Sequence, residues 1–410
     1  MGESILKSIG VYLRYIKEHG MYAVMKVIAY KLLNNIINCI ILFCVFIKPL
    51  KNTIVITSHN DFDNNGGVFY EWLLQHGYNN KYKIVWLLKH IDSKPSDLPE
   101  NVECYSVYMP SIKRNYHICT AKYFLADDKI TDKVRSKQVS IYCTHGMGSL
   151  KNVHGRIFIP TSVDYVLSPA ASYVPIVAYQ FSMRYPNDKF ISLGYPSNDP
   201  LYIKDKSELN KITTQKFSKI IIWMPTFRKT EGYGRVDFTR KYALGIPLLD
   251  DMNQYINLNN ILKDYNMLLI IKLHPNQDVA DLKITNMSNI CILTASDLVK
   301  KEINAYKLIR ATDALISDYS SVAGDYLHLD KPIAYVFEDI EEYKLGLISD
   351  DLQKYTAGNY IYNFDEMVNF IKMIYEEIDL YKEQRHRLRD FIFEYKDGNS
   401  CARLAKFLNL

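Results

Sequence analysis

Short apolar runs rich in β-branched residues recur along residues 53–337, each followed by a polar turn and a stretch of helical length. Thr53–Thr57 (TIVIT), Lys83–Leu88 (KIVWLL), Tyr123–Ala126, Val139–Cys143 and Asp164–Leu167 form a first set. Lys219–Met224 (KIIIWM), Met267–Leu273 (MLLIIKL), Asn289–Leu293, Asp313–Ile316 and Ile333–Phe337 form a second. Runs without polar alternation suit parallel strands covered on both faces by helices, and parallel strands need crossover connections. The predicted class is therefore α/β. A chain of 410 residues exceeds one ordinary core and fits two domains of about 150–200 residues each.

The expected boundaries follow. Residues 1–51 read as membrane-associating helices, 52–205 as a first Rossmann-like domain, 206–380 as a second, and 381–410 as a helical tail crossing back onto the first. The polar, lysine-rich residues 201–218 read as the connection between the domains. Two open sheets facing one another put the carboxyl ends of their strands on a shared cleft.

Composition narrows the class. Hydrophobic residues make up 48% and charged residues 23%, as in a globular protein. Seven scattered cysteines without zinc spacing exclude a disulfide framework or zinc ribbon and fit a reducing compartment. Residues 1–51 hold seven Lys and Arg against two Glu, which accounts for the whole net charge of +5. A nucleic-acid binder would spread that charge over its folded body, so no nucleic-acid partner is expected. Ile5, Ile9, Leu13 and Ile16 recur at helical spacing, and IINCIILFCVFI follows as far as Ile47. That run is shorter than the roughly 20 residues of a span, and Lys31, Asn34, Asn35 and Asn38 interrupt a longer window. The expectation is a monotopic anchor on an anionic membrane surface, peripheral on the cytoplasmic face.

The candidate chemistry sits just after strand ends. Ser317-Asp318-Tyr319-Ser320-Ser321 follows an apolar run and precedes a helix expected over Val322–Leu329. Its hydroxyls and amides either bind a phosphate or cap that helix. His145 follows Val139–Cys143 and is trailed by Gly146, which permits close backbone approach. It reads either as a general base or as a histidine bonded to a loop carbonyl. His274, kept extended by Pro275, reads as a phosphate contact or a strand-end structural residue. Arg228 and Lys151 are candidate charge neutralisers. No D-x-D follows a strand. Asp127-Asp128 and Asp250-Asp251 read as solvated pairs, so no metal or other cofactor is expected. G-x-G-x-x-G and Walker A motifs are both missing from the sequence.

These motifs together resemble the CDP-glycerol glycerophosphotransferase family, the membrane-associated enzymes of teichoic-acid and related polyol-phosphate synthesis. Thr144-His145-Gly146…Leu150-Lys151 is similar to the family's H-G-T-P-L-K segment, and Gly194-Tyr195-Pro196-Ser197-Asn198-Asp199 to its G-Y-P-R-N-D. Pro225-Thr226-Phe227-Arg228 resembles P-T-F-R, His274-Pro275 resembles H-P, and Ser317–Ser321 resembles T-D-Y-S-S. Met147-Gly148-Ser149 and Ser197 depart from the pattern. The resemblance spans about residues 53–343 and implies a GT-B-like fold, with an acceptor domain followed by a CDP-donor domain. It implies metal-independent transfer of a polyol phosphate from CDP-glycerol or CDP-ribitol to a lipid-linked or glycan acceptor, in teichoic-acid, capsule or O-antigen synthesis. His145 would be the base, with His274, Ser320 and Ser321 near the donor phosphates. A sugar transferase using a nucleotide-sugar donor, a related epimerase and a non-catalytic membrane adaptor are the alternatives. The first two share the two-domain cleft without this combination of motifs.

Overall fold

The computed structural model describes the chain except Met1, His145, residues 147–149, residues 228–239, Lys241, Asn276, Asp278, Ala280 and Asp281; side chains of residues 2–19 and Ser93 are likewise outside it. The first sheet holds β1 (Lys51–Thr57), β2 (Lys83–Leu88), β3 (Val102–Ser106), β4 (Ala121–Ala126), β5 (Val139–Tyr142), β6 (Tyr165–Ser168) and β7 (Phe190–Ser192). Its order is β3-β2-β1-β4-β5-β6-β7, parallel throughout. The second holds β8 (Lys219–Trp223), β9 (Met267–Lys272), β10 (Ile290–Leu293), β11 (Ala314–Ser317), β12 (Ile333–Val336) and β13 (Asn359–Ile361). Its order is β10-β9-β8-β11-β12-β13, again parallel. The chain reverses its direction of travel across the sheet between β1 and β4, and again between β8 and β11. Those reversals open crevices at the carboxyl ends of the strands, where α/β proteins take ligands.

Both faces of the second sheet are buried, which explains its unbroken apolar runs. Ile220, Ile222, Leu268, Ile270 and Leu315 belong to one core cluster, while Ile221, Trp223, Leu269, Ile271 and Ile316 belong to the other. The sequence did not predict β3, β7 or β13. Each stands at or beside a sheet edge and is half-exposed over much of its length.

The residues read as a connection are packed. A 3-10 turn spans Ser207–Lys211, with Glu208 and Leu209 buried. Glu208 Oε1 accepts from Asn304 N at 2.6 Å, and Arg310 pairs with Asp205 at 2.6 Å. Helix Phe364–Tyr375 packs into the core of the second domain; residues 381–410 hold helices Lys382–Ile392 and Ser400–Phe407, and the last of these lies against the first domain. Asp199 accepts from the amides of Ser400 at 2.9 Å and Cys401 at 2.8 Å, and Tyr123 donates to Leu408 O.

A helix covers Gly2–Val45, interrupted at Gly20 with φ +80°. The side chains of Ile5, Ile9, Leu13 and Ile16 lie outside the described residues. From Gly20 to Val45 the helix runs 26 residues, and its most apolar window has mean hydropathy 1.8, long and apolar enough by composition to cross a membrane. The expectation that asparagines break any such window is corrected: Leu and Ile outweigh them. Those asparagines have another use. Asn34 Oδ1 accepts from Arg114 at 3.0 Å, and its Nδ2 donates to Tyr108 O at 3.1 Å; Asn38 Oδ1 accepts from Asn115 at 2.9 Å. The polar stripe thus faces the first domain, while Met21, Met25, Leu32, Ile36, Ile40 and Phe43 are exposed. At 3.6 residues per turn these form one stripe opposite Asn34 and Asn38, the inverse of a soluble amphipathic helix.

Candidate functional site

On the second-domain side, β11 ends at Ser317 and the chain turns through Asp318. Asp318 is buried; its carboxylate accepts from Thr226 N at 2.8 Å and Thr226 Oγ1 at 2.5 Å. Because β8 and β11 are sheet neighbours, this pair fixes the turn after β8 against the turn after β11, across the reversal point. Asp318 therefore positions the Pro225–Phe227 turn. Tyr319 is turned inward, donating to Asp339 at 3.0 Å and stacking on Tyr343 at 4.2 Å. Ser317 is buried, and its hydroxyl has no partner among the described residues.

Ser320 and Ser321 remain half-exposed. The short helix Val322–Tyr326 takes no side-chain cap from Ser321, and Ser320 Oγ meets Val322 N only at 3.5 Å. The capping explanation therefore fails for Ser321 and is weak for Ser320, since that separation marks a poor bond. His274 follows β9 with its ring 4.8 Å from that of Phe227, so the turns after β8 and β9 also meet. Arg228 lies outside the described residues.

The first-domain side is built on Asn65. Its amide donates to Thr144 O at 3.0 Å and Cys143 O at 3.3 Å, and its carbonyl accepts from Ser197 N at 3.0 Å. This ties the end of β5 to the Gly194–Asp199 segment. Asn65 lies in the first turn of the helix Asn64–Gln75, beside Gly66 and Gly67. Those glycines fit where side chains cannot: a Cβ on Gly67 would lie 2.3 Å from Phe62 O. Gly66 N donates to Asp127 Oδ2 at 2.9 Å. Asp127 is buried, which corrects the reading of Asp127-Asp128 as solvated; β4 ends under this helix, and burial pushes the carboxyl well above its ordinary range. Asp128 is less enclosed and pairs with Lys89. Asp251 does cap a surface helix, as an exposed pair should.

His145 lies outside the described residues, but its neighbours are placed. Gly146 has φ +72°, and a Cβ built on it would stand 2.2 Å from Ser321 Oγ. The turn of the first domain thus touches the serine turn of the second. The two are fastened just beyond: Asn152 N donates to Gly346 O at 3.0 Å and Ile348 N to Leu150 O at 2.8 Å, with Lys151 bridging Leu347. Lys151 holds this seam through its backbone. Among the described residues no group of three His, Cys, Asp or Glu is arranged to hold a metal ion.

Sequence reasoning missed Asn65, the buried Asp325 and the half-buried His328. Tyr306 donates to Asp325 at 2.9 Å, while Asn198 and Tyr202 of the first domain meet the two ring nitrogens of His328 at 2.8 and 2.6 Å. Nothing in their local sequence distinguishes them from surface polar residues.

The sequence profile of the CDP-Glycerol:Poly(glycerophosphate) glycerophosphotransferase family matches residues 40–410. The chain belongs to that family. It is a transferase of the teichoic-acid polyol-phosphate primase and polymerase group. Its relatives include the teichoic acid glycerol-phosphate primase of Bacillus subtilis, 24% identical over 91% of this chain and 95% of the relative. The teichoic acid ribitol-phosphate polymerase TarK of Staphylococcus aureus is 24% identical over 87% of this chain and 68% of its own length. The structure of the wall teichoic acid polymerase TagF superposes with a TM-score of 0.72 at 19% identity, covering 98% of this chain and 97% of that one. The family member thus shares the TagF fold of two parallel-sheet domains.

Proposed function

We propose that this transferase moves a polyol phosphate, sn-glycerol 3-phosphate, from a CDP-linked donor to a hydroxyl of a membrane-linked glycan or polyol-phosphate acceptor, releasing CMP. The contact of Gly146 with Ser321 carries the reading, because it brings the turn next to His145 against a serine that does not cap the helix after it. A GT-B-like division, with acceptor on the first domain and donor on the second, accords with those positions. The family match and a TagF structure soaked with CDPG support CDP-glycerol over CDP-ribitol as the first donor to try.

In this reading the acceptor oxygen attacks the donor's β-phosphorus and a new P–O bond forms. The bond to the bridging oxygen breaks, CMP leaves with that electron pair, and His145 takes the acceptor's proton. Neutral imidazole suits this role near neutral pH. His274, Ser320, Ser321 and Arg228 contact the donor phosphates, whose charge needs stabilisation as CMP departs.

The exposed apolar stripe of the N-terminal helix supports a peripheral seat on the cytoplasmic membrane face. Fastening through Asn34 and Asn38 holds the helix along the domain, where an interfacial helix lies. The test is incubation of the purified enzyme with CDP-glycerol, CDP-ribitol and UDP-sugars in the presence of envelope lipids. CMP release with glycerol phosphate incorporated is the expected result, unaffected by excess chelator. Release of UMP or UDP alone would point to the sugar-transferase alternative, and loss of activity with chelator, restored by Mg²⁺, would overturn the metal-free mechanism.

A further inference from the structure

A second exposed apolar element stands beside the N-terminal helix. Between β3 and the start of the helix Ile112–Thr120, Tyr108 is 42%, Met109 50% and Ile112 73% exposed. Side chains hold the turn that presents them. Ser106 Oγ accepts from the amides of Tyr108 and Met109, each at 3.2 Å. The buried Arg114 guanidinium donates to Ser106 O at 3.0 Å, Val107 O at 2.9 Å and Asn34 Oδ1 at 3.0 Å. Asn115 donates to Asn34 O and Asn38 Oδ1, both at 2.9 Å. Helical residues three apart are neighbours, so Ile112 lies on the flank next to the N-terminal helix.

Cations line the same flank. Lys129 Nζ sits 3.7 Å from the centroid of the Tyr108 ring. Partial burial pushes its ammonium down to about 8, and Lys89, Arg114 and Lys31 push the same way against Asp128. Asp128 is already paired with Lys89, and among the described residues no carboxylate forms an ion pair with Lys31 or Lys129. At about 100° per residue, Lys31 stands about 60° around the helix from Asn34 and about 100° from Leu32. It therefore lies between the face bonded to the domain and the exposed apolar stripe. On a helix lying in a membrane interface, that edge is at headgroup depth.

Single exposed apolar residues are ordinary on a protein surface. Three within five positions, bordered by cations without a paired acid and fastened to an apolar helix, match a membrane surface. We propose that the Tyr108–Ile112 turn enters the headgroup layer beside the helix, with Lys31 and Lys129 holding the phosphate of an anionic phospholipid. Helix and turn together fix the rotation of the first domain about the helix axis, which the helix alone leaves free. The assignment rests on the membrane seat proposed above.

Ile112→Trp in the full chain tests the turn, read as the emission difference from wild type with vesicles of phosphatidylcholine, with and without phosphatidylglycerol. The introduced indole should shift to the blue on phosphatidylglycerol vesicles and be quenched by brominated lipid. Lys31→Gln with Lys129→Gln should bind those vesicles at least fivefold more weakly, while melting as wild type does. An indole that stays solvent-like on vesicle-bound protein would overturn entry of the turn and leave the helix seat standing. Equal affinity of wild type and the lysine variant for phosphatidylglycerol vesicles would overturn the headgroup contact. A blue shift that persists after Ile36→Glu with Phe43→Glu would keep the turn and remove the helix from the seat. Wild type that binds neither vesicle would overturn both.

Discussion

Gly146 meets two demands at once. Its φ of +72° and the 2.2 Å gap between its would-be Cβ and Ser321 Oγ both exclude a side chain. Gly146→Ala should lower kcat by more than tenfold while donor affinity holds, because the acceptor-side turn must retreat. Single-turnover and binding measurements together separate the two. Ser321→Gly in that background should relieve the clash but keep the backbone strain of about 1–2 kcal/mol. The two histidines should behave differently. His145→Ala is expected to cost about 10²–10⁴-fold in turnover with kcat and kcat/KM falling together, whereas His274→Ala should also weaken donor binding. A His145→Ala enzyme with near-normal turnover would move the base elsewhere. Asp325 is buried at the domain junction, where desolvation raises its carboxyl to about 7 despite bonds from Tyr306 and Asn198. An ordinary unfolded aspartate titrates near about 3.9, so between those values the native state holds a proton that the unfolded chain has lost. Stability from this group therefore declines as pH rises towards 7. Asp325→Asn should accordingly gain melting temperature relative to wild type between pH 5 and pH 8.5. A difference independent of pH would show that Asp325 is ionised throughout.

The N-terminal helix tests membrane seating without disturbing the fold. Ile36→Glu with Phe43→Glu places two charges on the exposed stripe and leaves Asn34 and Asn38 bonded. The expected outcome is loss of sedimentation with anionic vesicles at an unchanged melting temperature. Retained binding that survives alkaline carbonate would instead indicate a span. The same helix shows where sequence reading stopped. Asn34 and Asn38 look like interruptions of an apolar run until Arg114 and Asn115, some eighty residues away, are seen bonded to them. Central strands such as β1, β8 and β9 were legible because burial on both faces leaves continuous apolar runs. The edge strand β3, VECYS, is half-exposed, and β7 and β13 are three residues each, so their patterns are too short to stand out. The positions of the serine turn and of His274 could be placed from the sequence because each directly follows a central strand.

Across the whole molecule, the first domain depends on residues from the far end of the chain. Asp199 takes the Ser400 and Cys401 amides, Arg403 donates to Leu193 O at 2.9 Å, and Leu404, Ala405 and Leu408 complete the core. Deleting residues 400–410 should therefore lower the melting temperature by several degrees and expose the β6–β7 side to protease. A truncated protein with unchanged melting would show that this packing is ornamental. The arrangement also bears on synthesis. A ribosome delivers the strands of the first sheet early, yet the helix that covers its far edge is made only after the entire second domain has emerged. The nascent first domain must wait with that apolar flank open, so a chaperone that shields it during translation should raise the yield of native enzyme.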